Sequence, residues 1–190
     1  MTVSSTADPR APHELDLVID FVNTLDIETN VDQLVTPEGL ATWLGDKQLL
    51  DPASPSIQGS DHQKAIRLRE ALRALMMGHN GAASDPQAAF ELEQAARQGQ
   101  LAVHFNADGS SRVAPRTAGF AGALARLLVP VVESGVDESW RRVKACRAGD
   151  CHWAFYDHSR NHSGVWCDMA VCGNRTKVRA YRRRKPGGGP

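Results

Sequence analysis

The sequence predicts a mainly α-helical fold that ends in a small cysteine-containing module. Three observations predict it. Apolar residues recur at spacings of three and four through most of the first 140 residues, the period of an amphipathic helix. The same stretch contains a single hairpin signal. All four cysteines of the 190-residue chain lie between Cys146 and Cys172, where aromatic and basic residues also concentrate.

The first two helices are predicted from an apolar face and from a capping signal. One helix covers residues 13–27, and its apolar face consists of Leu15, Val18, Ile19, Val22 and Leu25. A short second helix begins after Thr36, because threonine caps helices and Pro37 suits the first helical position. This helix is expected to end near Gly45.

Two longer helices follow. Ser60 and Gln63 form a capping-box pattern ahead of an amphipathic stretch that reaches about Gly78. Asp85, followed by a proline, begins another helix that ends at Gly99.

The helical part closes with a hairpin and one more helix. Residues 101–114 read as two short strands around an Asp108-Gly109 turn, which is the only strand signal before residue 140. Thr117 is the expected cap of the last helix, which Pro130 ends or bends near residue 133.

The formal charge of zero conceals two oppositely charged parts. Residues 1–140 carry a net charge of −9 and residues 141–190 a net charge of +9. We therefore predict a helical domain over 1–137, a basic module over 138–185 and a flexible tail over 186–190. The chain has no run of 18 apolar residues and opens without an export signal. We therefore expect a cytoplasmic protein rather than a membrane protein.

The cysteines form the pattern C-x4-C-x15-C-x4-C through Cys146, Cys151, Cys167 and Cys172. Four thiolates complete the tetrahedral shell of Zn²⁺ and leave no position for water, so the pattern predicts one structural zinc ion. Two disulfides, an iron–sulfur cluster or buried thiols without metal are the alternatives. His152, His158 and His162 are further candidate ligands, although four cysteines already suffice.

The order of segments around the cysteines resembles a treble clef. RVKAC leads into the first pair, WAFYD and GVWC are expected to pair as strands, and Cys172 opens a helix. Nearby cations are expected to offset the negative charge of the metal site; they are Lys144, Arg147, Arg175 and Lys177.

The last helix carries the densest positive charge in the chain. Arg175, Arg179 and Arg182 form one stripe, to which Lys177, Arg183 and Arg184 add charge. An arginine stripe suits DNA phosphates and guanine edges. RNA, an acidic protein surface and plain solvation are the competing interpretations. Arg175 has a second interpretation, in which it binds thiolates or packs the module rather than facing DNA.

Two segments resemble known families. FYDHSRNHSGVWCDMAVCGNRTKVRAYRRR is similar to the CGNR zinc finger, named for a run that stands here at residues 172–175. LDLVIDFVNTL at 15–25 resembles the start of the ABATE domain, which precedes that finger in bacterial proteins described as candidate stress-induced transcription regulators. The resemblance implies zinc on the four cysteines and a DNA-contacting last helix. Asp168 replaces an expected serine and can serve equally well as a helix cap.

The N-terminal domain offers a weaker signal. Asp20, Asn23 and Thr24 are candidates for a pocket that senses a small molecule or protein. In the alternative interpretation, Asn23 and Thr24 only satisfy buried backbone groups or face water. No nucleophile with a base and no phosphate loop appears, so an enzyme is not expected. The acidic domain is also expected to shield the basic module, within one chain or in a homodimer. The sequence thus predicts a DNA-binding regulator, with a protein-interaction adaptor or an RNA-binding module as alternatives.

Overall fold

The computed structural model describes residues 13–51 and 53–184. Within them lie six α-helices and three antiparallel two-stranded sheets. The helices are α1 (His13–Val22), α2 (Pro37–Asp46), α3 (Gly59–His79), α4 (Pro86–Gln98), α5 (Gly119–Glu133) and α6 (Asn174–Arg184). The strands are β1 (Leu25–Asp26), β2 (Val31–Asp32), β3 (Leu101–Phe105), β4 (Ser111–Pro115), β5 (Val143–Ala145) and β6 (Ala154–Tyr156). The mainly α fold is confirmed, while the predicted tail at 186–190 lies outside the described residues.

Helix α1 ends at Val22, five residues before the predicted end. The Thr24 hydroxyl donates a hydrogen bond to the Phe21 carbonyl at 2.8 Å, which closes the helix in a turn. Leu25 then pairs with Asp32 in a short hairpin. The expectation that 101–114 is the only hairpin before residue 140 is therefore wrong, because two-residue strands leave no alternating pattern in a sequence.

Two of the predicted helix caps are confirmed. The Thr36 hydroxyl accepts a hydrogen bond from the Gly39 amide at 3.1 Å. The Asp85 carboxylate accepts one from the Gln87 amide at 2.9 Å. Both side chains satisfy first-turn amides that have no partner inside the helix.

The other two predicted caps are wrong. Helix α3 begins at Gly59, so Ser60 lies inside its first turn, and Gln58 at the cap makes no side-chain hydrogen bond to the helix. Helix α5 begins two residues after Thr117, with Ala118 at its cap. The apolar faces of these helices fix their position against the core, and a capping sequence nearby does not move them.

Helix α3 carries the centre of the core. Its residues Leu68, Leu72 and Met76 are almost completely buried. The same apolar cluster includes Val143, Ala145, Ala154 and Tyr156 from the cysteine-containing segment. The helical part and the start of the cysteine module therefore share one hydrophobic core.

Strand β5 pairs with β6, which corrects the predicted pairing of WAFYD with GVWC. Val143 lies opposite Tyr156, and Ala145 lies opposite Ala154. The GVWC segment instead makes one backbone hydrogen bond to the residues just after β5, from the Arg147 amide to the Val165 carbonyl at 3.0 Å. The cysteine spacing did not specify which strands pair.

Polar side chains of the helical part bind the backbone of the cysteine module. The Asn23 side chain donates from Nδ2 to the Ala154 carbonyl at 2.9 Å, and its Oδ1 accepts from the Ala154 backbone amide at 2.7 Å. The Arg73 guanidinium donates to the His152 carbonyl at 3.0 Å and to the Val22 carbonyl at 2.7 Å. Asn23 and Arg73 are both buried, so these bonds are shielded from water.

Asn80, which directly follows α3, makes a similar connection. Its amide donates to the Ala145 carbonyl at 2.8 Å and to the Val165 carbonyl at 2.9 Å. One side chain thus holds both segments that lead into the cysteine pairs.

None of the helices in the described ranges is long and apolar enough to cross a membrane.

We predict that Asn23→Ala lowers the free energy of unfolding by about 2–4 kcal/mol, because it leaves the buried amide and carbonyl of Ala154 without partners. Denaturant unfolding measures the change. Asn106→Ala is the matched control, since the Asn106 amide is exposed and bonds only within its own turn to Ser110. A loss no larger than that of the control would contradict the anchoring role of Asn23.

Candidate metal centre and basic helix

The four cysteine sulfurs converge on one point. All lie within 4.8 Å of one another, with 3.6 Å between Cys151 and Cys167 and 3.7 Å between Cys167 and Cys172. Four sulfurs placed tetrahedrally at metal–sulfur distances of about 2.3 Å are about 3.8 Å apart. The cluster therefore fits a single tetrahedral metal ion and leaves too little room for an iron–sulfur cluster.

The electrostatics of the cluster also favour a cation. Hydrogen bonds from the Cys151 and Cys167 thiols lower the pKa of Cys146 to about 2. The bond to Cys146 raises the pKa of Cys151 to about 12, and it raises the pKa of Cys167 as well. Ionisation of one thiol therefore disfavours ionisation of its neighbours. Four thiolates can form together only when the positive charge of a metal ion offsets their repulsion.

The first cysteine pair lies in a tight loop after β5. The Cys146 amide donates to the Trp153 carbonyl at 2.9 Å, and the Cys151 amide donates to the Ala148 carbonyl at 2.9 Å. The Cys146 and Cys151 sulfurs lie within 4.8 Å of each other in this loop. His152 adopts a left-handed backbone there, but within the described residues the ligand group contains cysteines alone.

The second pair is shaped by a π-helical turn, Met169–Gly173, that leads into α6. Asp168 caps this turn, since its carboxylate accepts from the amides of Ala170 at 2.6 Å and Val171 at 3.0 Å. The expectation that an aspartate can cap the turn is confirmed. Cys172 is the fourth residue of the turn and is buried.

Gly173 and Asn174 complete the turn. A Cβ atom on Gly173 would lie 2.5 Å from the Met169 sulfur and 3.1 Å from a ring carbon of Trp166, so a larger residue would push these side chains away. The Asn174 amide donates to the Ala170 carbonyl at 3.0 Å. Both residues therefore hold the helix start against the metal centre.

Arg175 connects the metal centre to the helical part. Its guanidinium forms a two-point ion pair with Glu28 and lies 3.5 Å from the Cys172 sulfur and 3.6 Å from the Asp150 carboxylate. The hydrogen bond to Glu28 raises the pKa of Arg175 above its ordinary value. These contacts support the structural interpretation of Arg175, which is engaged on several sides.

Glu28 is itself held in place. It lies in the turn between β1 and β2, where its amide donates to the Asp26 carboxylate at 2.9 Å. The buried Arg69 of α3 clamps β2 through two bonds to Asp32, at 2.7 and 3.0 Å. Burial raises the pKa of Asp32, but the hydrogen bonds from Arg69 and from the Leu34 amide, together with nearby positive charge, lower it overall. A fixed hairpin thus presents Glu28 to Arg175.

Two other cations expected to offset the thiolate charge act elsewhere. Buried Lys144 donates to the Asp157 carboxylate at 2.6 Å and to the carbonyls of His162 and Gly164 at 2.6 and 3.1 Å. Arg147 donates to the Asn80 carbonyl. Lys144 and Arg147 therefore hold the loops that carry the cysteines. Among the described residues, Arg175 is a cation that contacts a cysteine sulfur directly.

The predicted arginine stripe on α6 is divided in two. Arg179 pairs with Asp150 at 2.8 Å, next to the Arg175 site. Lys177, Arg182 and Arg183 are exposed, and the side chain of Arg184 is outside what the structure describes. Val178 and Tyr181 are 48% and 62% exposed on the same helix. The outer part of α6 therefore presents cations interspersed with apolar side chains.

The three residues proposed for an N-terminal pocket separate in the structure. Asp20 lines a cleft of about 720 Å³ and pairs with Lys47 at 2.6 Å. Asn23 binds Ala154, and Thr24 is buried in the turn after α1, so neither lines the cleft. Their polar groups serve the backbone, which was the alternative interpretation.

Sequence reasoning missed Glu28, Asp150 and Asn80. Each lies in a turn where acidic and amide residues are common, and their partners are 147, 29 and 65 residues away. An excess of acid before residue 140 was visible, but nothing in the sequence selects Glu28 from the other carboxylates.

Comparison with known families agrees with this architecture. A family model described as "Putative stress-induced transcription regulator" (ABATE) matches residues 15–137. The chain belongs to the ABATE family. The CGNR zinc finger model matches residues 142–185, so the ABATE segment is followed by a CGNR finger. Among curated proteins, no relative matches the chain.

We predict one tightly bound metal ion per chain and its loss in Cys172→Ser, because a serine hydroxyl is a poor replacement for a thiolate. Elemental analysis of the purified protein measures the ion, and the thermal midpoint is expected to fall with it. His152→Asn is the control, since histidine is outside the ligand group and asparagine tolerates the left-handed backbone. Retention of metal in Cys172→Ser would contradict the assignment.

Proposed function

We propose that the protein is a cytoplasmic, non-enzymatic bacterial transcription regulator of the stress-response type. One structural zinc ion keeps the CGNR finger folded, and α6 contacts duplex DNA. The observation that carries the proposal is the exposed set of cations on α6, fixed in direction by a turn that holds a metal ligand. The ABATE family description supports the regulatory role.

Zinc suits the centre because it prefers tetrahedral thiolate coordination and has no redox chemistry. When bound, it supplies the cross-link that joins two loops of a segment too small to be stable by its own core. The chain supplies the rest: Asp168 and Asn174 shape the turn, and Arg175 approaches the Cys172 sulfur.

The outer half of α6 is the proposed DNA contact. Lys177, Arg182 and Arg183 are exposed, and α6 packs mainly against the π turn, so a groove can approach it. Arg184 continues the positive face in sequence. Arginines donate paired hydrogen bonds to phosphates, and a helix fits the major groove.

We predict that the double variant Arg182→Ala, Arg183→Ala weakens duplex binding at least about tenfold. The slope of log affinity against log salt concentration should also become shallower, by about 0.9 for each lost phosphate contact. Fluorescence anisotropy with a labelled random duplex measures both quantities. Arg97→Ala is the control, because Arg97 is an exposed arginine of α4 whose partner Glu93 is also on the surface. Metal content should be unchanged in all variants.

The alternatives give different results in the same assay. Tighter binding to single-stranded or structured RNA than to duplex DNA would favour an RNA-binding module. Displacement by an acidic protein, with no measurable duplex binding, would favour the interaction adaptor. Equal losses in the Arg97 control and the double variant would contradict α6 as the binding element.

Glu28 supports a shielding role for the ABATE segment. A carboxylate paired at two points with Arg175 occupies the donors that a phosphate would use. Asp150, which lies within the finger itself, pairs with Arg179 and so gives no support to a role of the ABATE segment. We include restraint of the finger by the acidic segment in the proposal, with Glu28 as its contact.

We predict that Glu28→Gln raises duplex affinity by about three- to tenfold and steepens the salt slope by about 0.9, since one more arginine becomes available to phosphate. Glu93→Gln removes one surface charge without contact to α6 and should leave the slope unchanged. Loss of metal from Glu28→Gln would instead assign Glu28 a role in holding the finger. An unchanged slope with full metal content would contradict the shielding role.

A further inference from the structure

A cleft of about 720 Å³ opens between α1, the C-terminal end of α2, strand β4 and helix α5. Its floor is apolar and half-buried or buried, and consists of Leu17, Val113, Ala114, Pro115, Val129 and Pro130. Small-molecule sites are typically concave, mostly apolar and about 300–1,000 Å³ in volume. An apolar body that covers this floor would gain the free energy of removing both surfaces from water.

The charges at the rim specify the ligand further. Four carboxylates line the cleft, those of Glu14, Asp16, Asp20 and Asp46, together with two cations, Lys47 and Arg126. Lys47 pairs with Asp20 at 2.6 Å, and Arg126 donates to the Leu49 carbonyl at 2.9 Å. The lining thus has a formal charge of −2, and protein groups already engage both of its cations.

Asp46 is unusual for its position. It is the last residue of α2; the final turn of that helix contains no basic residue, and Lys47 at the C-cap pairs with Asp20. A carboxylate at the negative end of a helix dipole is unfavourable by a few tenths of a kcal/mol or more. Residues that oppose local preference tend to occur at functional sites. Asp46 is exposed at the rim, where a positive ligand would relieve the repulsion.

We propose that this cleft binds a small organic cation with an apolar or aromatic body, such as a hydrophobic amine or a quaternary ammonium compound. The body lies on the floor between α1 and α5, and the positive group lies at the rim near Asp46 and Glu14. This inference rests on the proposed regulatory function and names the class of ligand to which the ABATE segment would respond.

The test uses two dyes that share a xanthene body and differ in charge. Rhodamine 6G is cationic, and sulforhodamine B is anionic. Fluorescence anisotropy with the full-length, metal-loaded protein should show rhodamine 6G binding at least about tenfold more tightly, because the charge of the lining favours one sign. Rhodamine 6G should also raise the thermal midpoint of the protein.

Variants locate the binding. Asp46→Asn and Glu14→Gln should each weaken rhodamine 6G binding about threefold, the size expected for one exposed charge pair. Val129→Trp fills the floor and should weaken it more than tenfold. Glu93→Gln on α4 removes a carboxylate outside the cleft and should have no effect. Circular dichroism verifies that each variant is folded.

Three results would overturn the inference: equal affinity for the two dyes, equal losses in Glu93→Gln and Asp46→Asn, or full binding by folded Val129→Trp. A homodimer that Asp46→Asn dissociates in sedimentation, with dye binding confined to the monomer, would assign the cleft to a second copy instead. Duplex titrations of the same preparations decide the DNA-binding proposal separately, since dye binding is measured without DNA.

Discussion

Much of this structure depends on one constraint, which is that the buried backbone of the cysteine module needs hydrogen-bond partners. Its carbonyl and amide groups are buried against α1 and α3, where an unpaired group is costly. Asn23, Arg73 and Asn80 supply the missing partners for Ala154, His152, Ala145 and Val165. Each bond joins residues at least 65 positions apart in the chain, so the helical part contributes to the shape of the cysteine loops.

A second set of contacts connects the helical part to α6. Arg69 clamps the β1–β2 hairpin through Asp32, the hairpin presents Glu28, and Glu28 pairs with Arg175 beside the Cys172 sulfur. A change in the ABATE segment that moved this hairpin would alter the restraint on the basic helix. The cleft is lined in part by α1, the helix that leads into this hairpin.

Much of the architecture could be predicted because it depends on local rules. The apolar faces of α1 to α5 follow helical periodicity, and Thr36 and Asp85 cap their helices as their chemistry requires. The four cysteines were sufficient to predict the metal centre, since few other arrangements use four thiols so close in sequence. Predictions failed where a local signal competed with packing. Ser60 and Thr117 lie near helix starts whose positions are set by packing against the core. Leu25 fits the helical pattern in sequence but lies in a strand.

By itself, the sequence determined the cluster of four cysteines, the basic character of α6 and the division of charge between the two segments, because these properties belong to residue types and their spacing. Only the tertiary structure decided which arginines form ion pairs. Glu28 and Asp150 pair with Arg175 and Arg179, while Lys177, Arg182 and Arg183 are exposed. The physical reason is that an ion pair depends on distance in space, and Glu28 reaches Arg175 across 147 residues only after the core has folded.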